Sequence, residues 1–334
     1  MNKPINDISI VIIAADEEYA IQKCLESINR LPLINSEIIC VDSSRINDAT
    51  FNAMKKFSSQ RDDYKLLKII GTGNGMRSVA RNEGFKASSK NTIFFIDGDI
   101  EINPQFIIEA IAKLKIHDCV TGDLKELWYD SQFEKVKKVI ERRWPIPKEQ
   151  KLFFTGGIFA VKRDVLLHSG LFNESMRCED IELTLRISRL GYSIIQLPTI
   201  MGVHHTIEYS NRKRVVDFIK IQHGIYRGII IRNNLFYPLC LFQFLKTESS
   251  FLWGILFYFF SLIGFLWWGP LFLFVSLIFF ALDMLYGKVK RKDWFHRIYL
   301  HYITPVHILK GLFFCFKLPQ PDYKVQLVNT LENC

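Results

Sequence analysis

Residues 93–104 read IFFIDGDIEINP, an apolar run that ends in two carboxylates, Asp97 and Asp99, on either side of Gly98. An uninterrupted apolar run is what a strand covered on both faces requires. The same plan recurs on either side of it. ISIVII, residues 8–13, is followed by Asp16, Glu17 and Glu18, and then by Ile21, Cys24, Leu25 and Ile28 at helical spacing. Acids there suit a helix N-terminus. A second strand, Glu37 to Val41, ends in Asp42-Ser43-Ser44, and a third is predicted from Leu66 to Ile70. The glycine-rich turn GTGNG, residues 71–75, opens a helix predicted over Arg77 to Ala87, and the strand Thr92 to Ile96 then delivers Asp97. Strands and helices alternating at this length predict an α/β fold, a parallel sheet with helices on both faces. In such sheets ligands bind at the carboxyl ends of the strands, where Asp16, Asp42, Asp97 and Asp99 all fall. Carboxylates crowded there raise one another's pKa unless a cation or donors compensate.

Asp97-Gly98-Asp99 offers two hard oxygen donors, and Gly98 permits backbone angles or a close approach that a side chain forbids. Mn²⁺ or Mg²⁺ held by one or two carboxylates and by diphosphate oxygens satisfies that geometry; a solvated turn is the plain alternative. The glycine run has neither the G-K-[ST] ending nor G-x-G-x-x-G spacing, which leaves a flexible loop as its role. Arg81, in the helix that follows, could reach a phosphate or the carboxylates, or lie on an ordinary helical surface.

A second constellation spans TGGIFAVKRDVLLHSGLFNESMRCEDIELTLRISRLGYSII, residues 155–195. Gly156-Gly157 permits close backbone approach to a ligand. Glu179-Asp180 opens a helix whose apolar positions are Ile181, Leu183, Ile187 and Leu190 and whose end is marked by Gly191. A carboxylate at that place is a cap or charge placement, or, if it faces the crevice, a base for an acceptor hydroxyl. His204-His205 follows a strand predicted over Ser193 to Leu197. One imidazole could complete a metal site with Asp99; surface or packing roles are the alternative.

The chain has 334 residues, 49% of them hydrophobic, enough to fill a sizeable core. A formal charge of +9 and a pI near 9.1 suit nucleic acid, nucleotides or an anionic membrane surface. The seven cysteines (24, 40, 119, 178, 240, 315 and 334) are scattered, without C-x-x-C or zinc spacing, which predicts reduced and mostly buried thiols. The N-terminus lacks a small-residue cleavage site, so no signal peptide is expected. From Phe251 to Leu282 the chain carries no charge, a stretch longer than the roughly 20 residues of one membrane crossing. With Gly269-Pro270 near its middle, it predicts a transmembrane hairpin over 251–286 with Trp267 and Trp268 at an interface; a single kinked span is the alternative. Arg212, Lys213, Arg214, Arg227 and Arg232 precede it and Lys288, Lys290, Arg291 and Lys292 follow it, which fits both ends on the cytoplasmic side. Residues 298–316 contain His301, His307 and Lys310 and read as an interfacial helix.

In order and kind these motifs resemble family 2 glycosyltransferases with a GT-A fold, over about residues 7 to 230. SIVIIAADEEYAIQKCLESI resembles that family's first strand and helix, and EIICVDSSRINDAT its second strand. ARNEGFKAS and IFFIDGDIEINP are similar to the stretch ending in the D-x-D motif, and TGGIFAVKRDVL with CEDIELTLRISRLGYSI to the acceptor block with its E-D motif. The resemblance implies a catalytic domain over 1–230 and a membrane-associated helical region over 231–334. It implies that Ala14, Asp16, Glu17 and Asp42 lie near the nucleotide, Asp42 at the base, that Asp97 supports the nucleoside, and that Asp99 binds the divalent metal, Mn²⁺ or Mg²⁺. His204 or His205 would be a further metal ligand, Asp180 the general base, and Glu179 a shaper of the acceptor site. An inverting transfer from a nucleotide-diphosphate sugar, a UDP-sugar foremost, to a polyprenyl-linked or polysaccharide acceptor follows. It would take place at the cytosolic face of the inner membrane.

The sequence departs from the family pattern at Asp16, where Asn is usual, and at Ile13-Ala14-Ala15, where Pro-x-Tyr is usual. The Q-x-x-R-W motif of processive synthases is absent, and QHGIYR, residues 222–227, is a loose echo of it. Two other readings compete. A nucleotidyltransferase would need a basic, glycine-rich triphosphate loop after the first strand, where this chain has the acidic IAADEE. A non-catalytic nucleotide-binding membrane module would have no use for carboxylates converging from distant segments. Nucleic acid is not an expected partner, because the basic residues cluster beside the apolar stretch.

Overall fold

The computed structural model describes residues 4–59, 61–72, 76–291 and 294–328; the side chains of 273 and 286–291 are outside it. Residues 73–75 of the glycine-rich run, Lys292 and Cys334 therefore fall outside the described residues. The chain forms two compact units, Met1–Ile207 with Leu318–Cys334, and Glu208–Lys317.

In the first unit the order is β1 (Ile5–Asn6), β2 (Ile8–Ala14), α1 (Ile21–Asn29), β3 (Leu33–Ile34), β4 (Glu37–Asp42), α2 (Ala49–Ser58), β5 (Tyr64–Thr72), α3 (Met76–Ala87), β6 (Thr92–Asp97), β7 (Ile100–Ile102) and α4 (Pro104–Lys113). It continues with β8 (Cys119–Tyr129), β9 (Val136–Ile140), β10 (Gln150–Leu152), β11 (Phe159–Lys162), α5 (Arg163–Ser169), α6 (Glu179–Arg189) and β12 (Ile194–Ile207), and β13 (Asp322–Val328) closes it. The main sheet runs β10-β12-β8-β11-β6-β2-β4-β5-β13.

Its centre is parallel, as the alternating strands and helices predict: β2 pairs in parallel with β4 and β6, and β4 with β5. Alternation along β2 sends Ile8, Ile10, Ile12 and Ala14 to one core, with α1, α2 and α4, and Val11 and Ile13 to the other, with α3, α5 and α6. Both faces are therefore dry, which explains the continuous apolar runs. The flanks are mixed. β11 lies antiparallel between β6 and β8, and β13 antiparallel along β5. The strand predicted to stop at Leu197 continues to Ile207, passing Pro198 through register shifts between Gln196 and Gly202. Those bulges absorb the proline's missing donor, and they carry the strand on to His204 and His205.

The second unit is helical: α7 (Arg212–Lys220), α8 (Gly224–Asn233), α9 (Pro238–Thr247), a 3₁₀ turn (Ser249–Phe251), α10 (Leu252–Trp268), α11 (Pro270–Arg291), α12 (Trp294–Ile298), a π-helical stretch (Tyr299–Ile303) and α13 (Thr304–Phe313). Asp283 of α11 accepts hydrogen bonds from Arg297 Nε at 2.9 Å and from the Tyr302 hydroxyl at 3.0 Å, and pairs with His301 Nδ1 at 3.1 Å. Among the described residues one helix, Ser249–Trp268, is long and apolar enough to cross a membrane, and most of it is exposed within the chain. Pro270–Leu285 is a shorter apolar helix.

Candidate active site

Strand register brings the carboxylates together. Ala14 at the end of β2 stands opposite Asp42 of β4, and Ile13 opposite Asp97 of β6. Asp42 is fully buried; its Oδ1 accepts the Ser44 amide at 3.2 Å, while Oδ2 has no hydrogen-bond partner among the described residues. Burial pushes its pKa up, and the Ser44 hydrogen bonds hold it partly back. Asp16 is committed to the backbone. At φ +55° its Oδ1 accepts the amides of Arg45 at 3.1 Å and Ile46 at 3.0 Å, and its own amide donates to Ser44 Oγ at 2.9 Å. Asp16 therefore shapes the loop beside Asp42.

Gly98 is required by close approach. Its amide donates to the Ile13 carbonyl at 2.8 Å, and a Cβ there would come within 2.6 Å of both Ala14 Cβ and Glu17 Oε2. Glu17 Oε2 is buried without a hydrogen-bond partner among the described residues. Burial, with Asp99 next to it, drives the Glu17 carboxyl well above its usual range.

Arg81 is the hub of the second constellation. Only 2% exposed, it donates through Nη2 to Asp97 Oδ1 at 2.6 Å and through Nη1 to Glu179 Oε1. A Cβ at Gly157 would lie 2.3 Å from Arg81 Nη2 and 2.9 Å from Asp97 Oδ2, so that glycine makes room for the ion pair. Gly156 faces Asp180, with Oδ2 3.9 Å from its ideal Cβ position. Cys178, at φ +62°, turns the chain into α6, and Thr184 Oγ1 accepts the Thr155 amide at 3.0 Å, which ties the Gly156-Gly157 segment to that helix. Asp180 is half-buried on the first turn; desolvation, then the neighbouring Glu179 carboxylate, push its pKa up to about 7. Such a group is poised to take a proton near neutrality.

At the other side of Asp97, Asp99 Oδ2 lies 3.1 Å from His204 Nε2, and His204 Nδ1 lies 3.0 Å from Glu126 Oε1. Against burial, the His204 charge and hydrogen bond, with Arg77, hold Asp99 below its ordinary value. Against burial, Asp99 and Glu126 raise His204 to about 9. His205 turns the other way. Its Nε2 meets Glu101 Oε1 at 2.7 Å and its Nδ1 the Tyr129 hydroxyl at 2.9 Å. Adjacent residues on a strand point to opposite faces, so the structure brings His204 to the Asp99 carboxylate, whereas the link from His205 runs through its amide to the Asp99 carbonyl, at 2.9 Å.

Glu126, Glu101 and Arg77 have no motif that marks them in the sequence. Arg77 stands one helical turn before Arg81 and adds positive charge to the carboxylate cluster. Among the described residues no group of three or more His, Cys, Asp or Glu side chains forms a metal cage. The donors present nevertheless fit a divalent cation completed by ligand oxygens: Asp99 with an imidazole against it, and beside them a buried carboxylate oxygen, Glu17 Oε2, without a partner among the described residues.

Residues 9–169 match the model of the family described as "Glycosyl transferase family 2". Among curated relatives, glycosyltransferase AglE of Haloferax volcanii is 26% identical over 212 residues, 59% of this chain and 66% of its own length. Two solved structures share the fold at 17% identity. TarS 1-349 of S. aureus in complex with UDP-GlcNAc aligns with TM-score 0.53 over 73% of each chain. The mannosyltransferase PcManGT of Pyrobaculum calidifontis, in complex with GDP-Man and Mn²⁺, aligns with TM-score 0.54 over 92% of this chain and 87% of its own. This chain spans just under two thirds of the length of its AglE relative.

Proposed function

From the match of residues 9–169 to the model of glycosyl transferase family 2, we propose that the protein is a member of that family and a divalent-metal-dependent, inverting transferase. It moves a sugar from a nucleoside-diphosphate sugar to a hydroxyl of a lipid-linked or polysaccharide acceptor. The observation that carries this is the single Arg81 guanidinium shared by Asp97 and Glu179, beside Asp180 on the same helical turn as Glu179. It joins the donor-side carboxylates to a base.

In this reading Asp42 accepts from the nucleobase through its unpartnered Oδ2, and Asp16 holds the loop that borders it. Glu17 and Asp97 line the ribose and diphosphate side. Asp99, with His204, would hold the metal, which when bound supplies positive charge against the leaving diphosphate. Asp180 accepts the proton of the acceptor hydroxyl as its oxygen attacks the anomeric carbon from the face opposite the diphosphate. The new glycosidic bond forms as the bond to phosphate oxygen breaks, and the anomeric configuration inverts. Holding both substrates in one crevice supplies the proximity contribution.

The apolar helix Ser249–Trp268, with Pro270–Leu285 after it, supports membrane anchoring. The acceptor we favour is therefore polyprenyl-linked, at the cytosolic leaflet of the inner membrane. The UDP-GlcNAc and GDP-Man held by the two structures of like fold support the donor class. The testing experiment is release of nucleoside diphosphate by detergent-purified protein from UDP-, GDP- and dTDP-sugars, with and without Mn²⁺ and with polyprenyl-linked acceptors. Metal-dependent release from one donor supports the reading; no release and no nucleotide binding by folded protein would refute it.

A further inference from the structure

Glu126 is a fully buried carboxylate for which the proposed reaction has no direct use. It lies on β8, opposite His204 of β12 in a parallel register, so the backbone itself sets the two side chains on one face. Its carboxylate accepts from His204 Nδ1 at 3.0 Å and from Trp128 Nε1 at 2.9 Å, and pairs with Arg143 Nη1. A buried carboxylate is costly unless its oxygens are compensated. These donors converge on it, and one of them is the imidazole that faces Asp99.

We propose that Glu126 is a positioning residue for the metal: it holds His204 with its proton on Nδ1 and so aims the Nε2 lone pair at the cation beside Asp99. The proposal rests on the metal reading above. A neutral imidazole has one donor and one acceptor nitrogen, and the partner of the first decides which nitrogen is free to bind. With Nδ1–H donated to Glu126, Nε2, which lies 3.1 Å from Asp99 Oδ2, would become the ligand once its proton is released to solvent as the cation takes its place between the two groups. A carboxylate behind the imidazole also raises its basicity as a ligand. His205 cannot substitute, because both its ring nitrogens are engaged by Glu101 and Tyr129. The rival explanation is that Glu126 only anchors the segment bearing Arg143. That segment has a hold of its own, since the Arg143 amide donates to the Leu124 carbonyl at 2.8 Å.

The experiment is a Mn²⁺ titration of the full-length, detergent-solubilised protein followed by EPR, with Mn²⁺ alone and with UDP or GDP present. Wild type, Glu126→Gln and Arg143→Gln are compared after their folding is checked by circular dichroism and thermal unfolding. Mn²⁺ affinity is expected to fall about 10–100-fold in Glu126→Gln and to stay near wild type in Arg143→Gln. With a diamagnetic divalent cation (Mg²⁺ or Zn²⁺) bound in place of Mn²⁺, histidine ¹⁵N shifts should show His204 protonated on Nδ1 and bare at Nε2 in wild type, and a mixture of tautomers in Glu126→Gln. Equal Mn²⁺ affinity in wild type and Glu126→Gln would overturn the positioning role, as would an equal loss in Arg143→Gln. Wild-type protein that binds no Mn²⁺ under any of these conditions would bring down the metal reading itself, a result distinct from either. If Glu126→Gln does not fold, Glu126→Asp carries the same comparison, because it keeps the charge but withdraws it from Nδ1.

Discussion

Asp97 and Glu179 share one guanidinium: Arg81, 2% exposed, binds the first through Nη2 at 2.6 Å and the second through Nη1. The end of a sheet strand is thereby locked to the start of α6, two elements that a long stretch of chain separates. Removing the fork leaves two carboxylates without their shared counter-charge. Arg81→Met is expected to destabilise the fold by about 3–5 kcal/mol, read as a lower midpoint in chemical unfolding. Arg81→Lys should recover part of that stability while losing transfer activity, because a point charge cannot hold both carboxylates in one plane. A fully active Arg81→Lys would remove the fork from the account.

The pH dependence follows from Asp180. A base must be ionised, and desolvation with Glu179 places its pKa at about 7. The expected kcat/KM therefore rises about tenfold per pH unit below 7 and levels off above it. A profile of kcat/KM between pH 5 and 9 checks this, and a flat profile down to pH 5 would contradict it.

Asp42, the last residue of β4, carries a buried oxygen, Oδ2, without a hydrogen-bond partner among the described residues. If Oδ2 accepts from the base, Asp42→Asn presents a donor where an acceptor is needed. Nucleotide affinity should fall about 10–100-fold, in line with about 1.5–3 kcal/mol for a charge-assisted bond, with little change in kcat at saturating donor. Isothermal titration with UDP and GDP provides the measurement.

Gly98→Ala tests the close approach at the D-G-D turn. A methyl group there meets Ala14 Cβ and Glu17 Oε2 at 2.6 Å, and the Ala14 atom is fixed to a strand. Overpacking of this kind costs about 1–3 kcal/mol. Mn²⁺-dependent donor binding should weaken with it, whereas a shift in thermal midpoint alone would confine Gly98 to a packing role.

Much of this could be read from the chain. Buried strands leave continuous apolar runs, so β2, β4 and β6 and the acids after them were legible, as was α6 with Glu179 and Asp180 on its first turn. These central strands are covered on both sides and leave no polar face to confuse the pattern. What local pattern cannot carry is pairing. The four residues of β11 insert antiparallel between β6 and β8, and β13 arrives along β5 from the far end of the sequence. Pro198 reads as a stop, yet bulges let β12 pass it. His204 and His205 are equivalent as a dipeptide and separate only once the strand gives them opposite faces. Glu126 is an acid in an ordinary alternating stretch, and its meaning comes from a register partner on another strand.

Asp180→Asn tests the central claim most directly. Donor binding, followed by isothermal titration with the nucleotide sugar that the release panel identifies, should stay within about twofold of wild type, while transfer to acceptor should fall by about 10²–10⁴-fold. Transfer at the wild-type rate with Asn at this position would show that the acceptor's proton goes elsewhere and would contradict the assignment of Asp180 as the base.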